Sequence, residues 1–111
     1  MKHNAYIYCR TASASQSENR AIKEQEKRCR AFAEKNGFNV IGTVFDSGVS
    51  GVSTKRKGFD YLLLLLRELP EPCVVLIDGV GRLARSWEAH TQLEAKIEKA
   101  GATIILANGV K

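Results

Sequence analysis

The sequence predicts an α/β domain with a mostly parallel central sheet and helices on both faces, three layers in all. Three observations predict it. Short β-prone runs alternate with longer segments of helical period, in the order βαβαβαβ. The run from Cys73 to Ile77 is continuously apolar, as expected of a central strand covered on both faces. The chain has 111 residues, enough for one core and too few for two.

The first strand is read over about Ala5 to Cys9. It delivers Arg10 and breaks into the small, polar stretch from Thr11 to Gln16. A helix begins within Ser17 to Ile22, with Ile22, Cys29, Phe32 and Ala33 as its apolar stripe, and stops at Asn36-Gly37. Phe38 to Phe45 forms the second strand and ends at Asp46. The glycine- and serine-rich connection that follows, through Gly58, is long for a compact domain, and loops of that length are more often functional or mobile than merely connective. A helix from near Phe59 to Leu69 carries leucine on so much of its circumference that it must be nearly buried or meet a partner chain, and Pro70 and Pro72 end it. After the third strand, Asp78-Gly79 leads through Arg82 and Arg85 to a helix around Trp87 to Lys99, with Ser86 as its cap. Ala102 to Ala107 is the last strand, and right-handed crossovers are expected throughout.

Composition removes several classes of function. The longest apolar run, Tyr61 to Leu66, is too short to span a bilayer, and no apolar segment follows the N-terminus as a signal peptide would require. Cys9, Cys29 and Cys73 are widely spaced and form no C-x-x-C pair. They read as reduced core thiols of a cytoplasmic protein rather than zinc ligands. With only His3 and His90, a histidine-based site is not expected. The net charge of +5 permits a phosphate-rich partner without requiring one.

In a parallel sheet the strand carboxyl ends share one edge, where ligands bind. This chain sends Arg10, Thr11, Ser13 and Ser15 there after the first strand. Asp46, Lys55, Arg56 and Lys57 follow the second, and Asp78, Arg82 and Arg85 the third. Guanidinium forks match phosphate oxygens, so several in one place make a phosphate clamp. Arg82 and Arg85 would share a face if they sit on one helical turn. A site of arginines and hydroxyls suits phosphoryl transfer. An alternative places Asp46 and Asp78 at adjacent strand ends as ligands of a magnesium ion in a phosphodiesterase.

These residues also resemble a family. Tyr8-Cys9-Arg10 through Gln16, then Glu24-Gln25 with Cys29 and Ala31 to Phe38, are its first elements. Asp46 to Gly51, Arg56 to Phe59 and Arg82 to Ser86 follow in its order and spacing. The chain is similar to the catalytic domain of serine site-specific recombinases, the resolvase/invertase group.

The resemblance implies a resolvase-like fold over residues 1–111 and a serine that attacks a DNA phosphodiester to give a 5′-phosphoserine link. It implies no metal or nucleotide cofactor. The partners would be double-stranded DNA and further copies of the chain, a homodimer and, in the full-length protein's synaptic complex, a tetramer. It implies that Arg10, Arg56, Arg82 and Arg85 bind the scissile phosphate and that Gln16, Gln25 and Asp46 complete the site. The family's long C-terminal helix and DNA-binding module have no counterpart in these residues. The family places its nucleophile two residues after the arginine, where this chain has Ala12, with Ser13 next; the family's usual aspartate before Arg82 is Gly81 here. Three readings stay open: a recombinase that uses Ser13, a non-catalytic DNA-binding or dimerisation module, and an enzyme silenced by an engineered Ala12.

Overall fold

The computed structural model describes residues 3–12, 16–50, 53 and 55–107, with the backbone alone at residues 16–19 and 80. Among these residues four strands and four helices follow one another, with two helices in succession before the last strand: β1 (His3–Arg10), α1 (Gln16–Asn36), β2 (Phe38–Asp46), α2 (Lys57–Glu68), β3 (Cys73–Ile77), α3 (Val80–Leu83), α4 (Trp87–Lys99) and β4 (Ala102–Leu106). The strands form one sheet in the order β2-β1-β3-β4, and every pairing is parallel.

Alternation along β1 sorts its side chains to two faces. Ala5, Ile7 and Cys9 pack with Cys29 and Ala33 of α1 and with Leu76 of β3. On the opposite face Tyr6 and Tyr8 join Phe59, Leu62, Leu63 and Leu66 of α2 and Ala89, Leu93 and Ile97 of α4. Helix α1 therefore covers one face and α2 and α4 the other, the three layers the sequence predicts. The chain steps from β1 one way to β2, then back across to β3 and on to β4. Right-handed crossovers in opposite directions put their helices on opposite faces.

Helix ends follow local chemistry. Gly37 and Gly101 take positive φ values of 77° and 90° just past α1 and α4, a conformation that costs glycine little. The Ser86 Oγ accepts from the Ala89 backbone N–H at 3.1 Å and caps α4, as its position predicts.

Several boundaries differ from the sequence reading. Strand β1 runs on to Arg10 and β2 to Asp46, so both charged residues end strands rather than begin loops. Helix α2 starts at Lys57, two residues early, and leaves Tyr61 and Leu64 more than half exposed. Cys9, Cys29 and Cys73 are free and buried. Among the described residues no helix is long and apolar enough to cross a membrane.

Candidate phosphate-binding site at the strand ends

The sheet reverses its direction of growth between β1 and β3. Such a switch point opens a crevice beyond the strand carboxyl ends. Arg10, the last residue of β1, lies at this point and is almost fully buried. Strand β1 loses its β3 partner beyond the Ile7–Leu76 pair, so the Arg10 backbone on that side needs other partners. Gln25 of α1, itself fully buried, supplies them. Its Oε1 accepts from the Arg10 N–H and its Nε2 donates to the Arg10 carbonyl, both at 3.1 Å.

The Arg10 side chain is held just as firmly. Its Nε donates to the Arg82 carbonyl at 3.0 Å, Nη2 to the Gly81 carbonyl at 2.8 Å and Nη1 to the Val49 carbonyl at 2.6 Å. Val49 is in turn tied back, its N–H donating to the Thr11 carbonyl at 2.9 Å. One guanidinium thus joins the end of β1, the loop after β2 and the short α3 turn.

Asp46 organises the neighbouring corner. It is 5% exposed, and its carboxylate accepts from the Gly58 N–H at 2.7 Å, the Phe59 N–H at 3.0 Å and the Tyr8 hydroxyl at 2.7 Å. Arg56 occupies the N-cap position of α2 but makes no side-chain cap bond, so Asp46 does that work from the end of β2. The approach demands glycine at position 58, because a Cβ there would lie 2.4 Å from the Phe45 carbonyl oxygen. Arg56 is buried beside this corner; its Nε donates to the Ser53 carbonyl at 2.9 Å and its Nη1 reaches the Tyr8 hydroxyl at 3.4 Å. Burial, then the Asp46 carboxylate, push the Tyr8 hydroxyl well above its ordinary pKa, with Arg56 pulling the other way. Tyr8 is therefore a neutral hydrogen-bond relay between Asp46 and Arg56.

The electrostatics show that the arginines are near one another. Burial lowers the Arg10 pKa most and the charge of Arg56 lowers it further; Tyr8 opposes this, and Arg85 and then Arg82 add smaller lowering effects. Among the described residues, no carboxylate lies within ion-pair distance of Arg10, Arg82 or Arg85; the pairs that form are Arg28 with Glu24 and Asp78, Arg30 with Glu26, and His90 with Glu94. Positive charge concentrated without a carboxylate partner is the arrangement an anion would neutralise. The thiols offer no competing chemistry, since burial holds both Cys9 and Cys29 up at about 12.

Of the residues singled out from sequence, Arg10, Gln25, Asp46 and Arg56 come together as a buried group, and Arg82 and Arg85 approach it from the α3 segment. Helix α3 ends at Leu83, so Arg82 and Arg85 do not share a helical face; Arg85 lies beyond the turn and is exposed. Ala12 is exposed at a bend directly after Thr11. Ser13 and the Gln16 side chain lie outside the described residues.

The paired-carboxylate alternative does not survive the topology. Strand β1 lies between β2 and β3, so the ends bearing Asp46 and Asp78 are not adjacent but roughly 10 Å apart by strand spacing. Each carboxylate is also occupied: Asp46 by three donors, and Asp78 by a two-pronged pair with Arg28, Nε to Oδ1 and Nη2 to Oδ2, each at 2.8 Å. Arg28, the Tyr8 hydroxyl and the Val49 carbonyl were not legible as parts of the site. The one available hint was Tyr8, whose two-residue spacing from Arg10 puts both side chains on one face of β1.

The fold is shared with known proteins. A family model described as resolvase, N-terminal domain, matches residues 5–111. A search of curated proteins found no match. Among solved structures, the N-terminal catalytic domain of TP901-1 integrase superposes with a TM-score of 0.82 at 28% identity, covering 95% of this chain and 78% of that one. The C-terminal catalytic domain of ISC1926 TnpA, an IS607-like serine recombinase, gives 0.76 at 27% identity, over 97% of this chain and 69% of that one. A resolvase family site-specific recombinase from Streptococcus pneumoniae shares the fold, with a TM-score of 0.79 at 24% identity over 98% of this chain and 75% of that one. With the family model spanning nearly all of its length, this chain belongs to the resolvase N-terminal domain family, the catalytic domain of serine recombinases.

Proposed function

We propose that this chain takes part in site-specific DNA strand exchange and seats a DNA phosphodiester on Arg10, Arg56, Arg82 and Arg85. The observation that carries this reading is the Arg10 guanidinium, buried at the sheet's switch point among other arginines and with no carboxylate partner among the described residues. Arginine charge at that point would offset the negative charge that builds on phosphoryl oxygens during transfer.

In this reading the Ser13 hydroxyl attacks phosphorus. The serine O–P bond forms and the bond to the 3′-oxygen breaks; the serine proton ends on that leaving oxygen. The DNA is left with its 5′-phosphate on Ser13 and a free 3′-hydroxyl, and attack by a new 3′-hydroxyl reverses the step. Gln16 would line the site. Gln25 positions Arg10 through its backbone, and Asp46 positions the segment that carries Arg56. Family relationship supports action as a dimer that pairs into a tetramer on DNA.

A second reading rests on Ala12. A methyl group stands at the bend where the family has its nucleophile, which favours a module that binds DNA without cleaving it. One experiment separates the two. Wild-type protein is incubated with a pool of labelled duplexes, with and without EDTA, and run on a denaturing gel. The first reading expects a protein–DNA adduct that survives EDTA and disappears in Ser13→Ala. DNA binding without any adduct establishes the second, and an adduct that persists in Ser13→Ala contradicts the assignment of Ser13.

A further inference from the structure

Beside the arginines of the site stands one large side chain that the fold leaves mostly uncovered. Trp87, the only tryptophan in the chain, is 80% exposed, the most exposed large hydrophobic side chain among the described residues. Tryptophan carries a large apolar surface and is usually mostly buried, so a nearly bare indole is an unfilled contact. Its place in the chain says what could fill it. Trp87 is the first residue of α4, directly after the Ser86 cap and two residues from Arg85. Two peptide units hold its Cα within about 7.6 Å of the Arg85 Cα. Its ring is also braced: it stacks on His90 with centroids 5.9 Å apart and planes 19° from parallel. His90 is mostly buried, its side chain 19% exposed, so the indole rests on a fixed support.

We propose that the Trp87 indole packs against duplex DNA, on the sugar and base edges beside the phosphate that Arg82 and Arg85 hold. The inference rests on the DNA reading above and adds a contact to it. An aromatic face next to arginines suits a nucleic acid, in which each phosphate is flanked by apolar sugar and base surface. The braced ring would lose little side-chain freedom on contact, so most of its buried surface would appear as affinity. A second copy of the chain is the competing occupant. The arginines beside Trp87 favour DNA over a like-charged surface of another +5 chain.

The single tryptophan makes the contact directly observable. A 30-base-pair labelled duplex of mixed sequence is titrated with the protein at low salt. Binding is followed by the label's anisotropy and, in parallel, by tryptophan emission and its protection from acrylamide. The expected result is an emission change and protection that saturate together with the anisotropy. Trp87→Ala should weaken binding about tenfold, and Trp87→Phe should recover most of that loss. Binding by anisotropy with unchanged emission, together with wild-type affinity in Trp87→Ala, overturns the inference and leaves the DNA reading standing. An absence of binding by any variant overturns both. Emission that shifts with protein concentration in the absence of DNA assigns the ring to a second copy instead and also overturns the inference.

Discussion

The four arginines of the site divide into two pairs that the protein treats differently. Arg10 and Arg56 are buried, and each gives donors to main-chain carbonyls, Arg56 also to the Tyr8 hydroxyl. Arg82 is partly exposed and Arg85 exposed, on a short turn and the bend behind it. The buried pair builds the site: it fastens the loop after β2 and the α3 turn to the end of β1. The outer pair faces solvent, where a ligand would arrive. In the proposed reading the buried pair fastens the site as well as meeting the phosphate, whereas the outer pair would serve as contact alone, and substitutions should separate the two roles.

The largest effects should fall on the inner layer. Arg10→Ala strands three carbonyls, and Asp46→Ala removes the acceptor for two α2 N–H groups and the Tyr8 hydroxyl. Each should cost about 3 kcal/mol of folding stability, because hydrogen bonds to charged groups are strong and several buried or part-buried partners would be left unmet at once. Urea denaturation reads this directly, as a lower midpoint at unchanged slope. A loss under about 0.5 kcal/mol for Arg10→Ala would mean that its carbonyl contacts are incidental.

The core beneath the site should show itself through pH. Burial raises Cys9 and Cys29 from 9.0 to about 12. A raised folded-state pKa means that the native state keeps protons the unfolded chain gives up. Their contribution is complete below about pH 9 and is lost between about 9 and 12 as pH rises. The urea midpoint should therefore decline above pH 9, and Cys29→Ala should make the decline shallower. The same slope in both proteins would contradict the burial of that thiol.

The smallest effect should come from Arg28. Its pair with Asp78 has good two-pronged geometry, but the arginine side chain is 51% exposed. Solvent screening limits such a pair, so Arg28→Ala should cost about 0.5 kcal/mol, with the loss shrinking in high salt. A loss several times larger would show that the bridge anchors the α3 turn and that the boundary between the two layers lies further out.

Much of this arrangement was legible in the chain. Period-two alternation through Ala5, Ile7 and Cys9 and the apolar run from Cys73 to Ile77 specify the strands and their coverage. Arg10, Asp46 and Asp78 fall at strand ends because charge cannot continue those apolar runs. Lateral order was not legible. Nothing in the pattern says that β1 lies between β2 and β3, so Asp46 and Asp78 read as neighbours when they are not. The carbonyls that hold Arg10 were also hidden, since every residue carries the same backbone acceptor and sequence does not mark which ones converge. Arg28 sits four residues after Glu24, an ordinary helix-surface pairing, and its stronger partner is fifty residues away.

The division of labour among the arginines is tested most directly by measuring duplex affinity across salt for wild type, Arg82→Ala and Arg85→Ala, with urea stability measured alongside. The account predicts weaker binding for both variants, a log–log salt slope shallower by about one phosphate contact for each, and for Arg85→Ala a stability within about 0.5 kcal/mol of wild type. Wild-type affinity and an unchanged salt slope in both variants would contradict it.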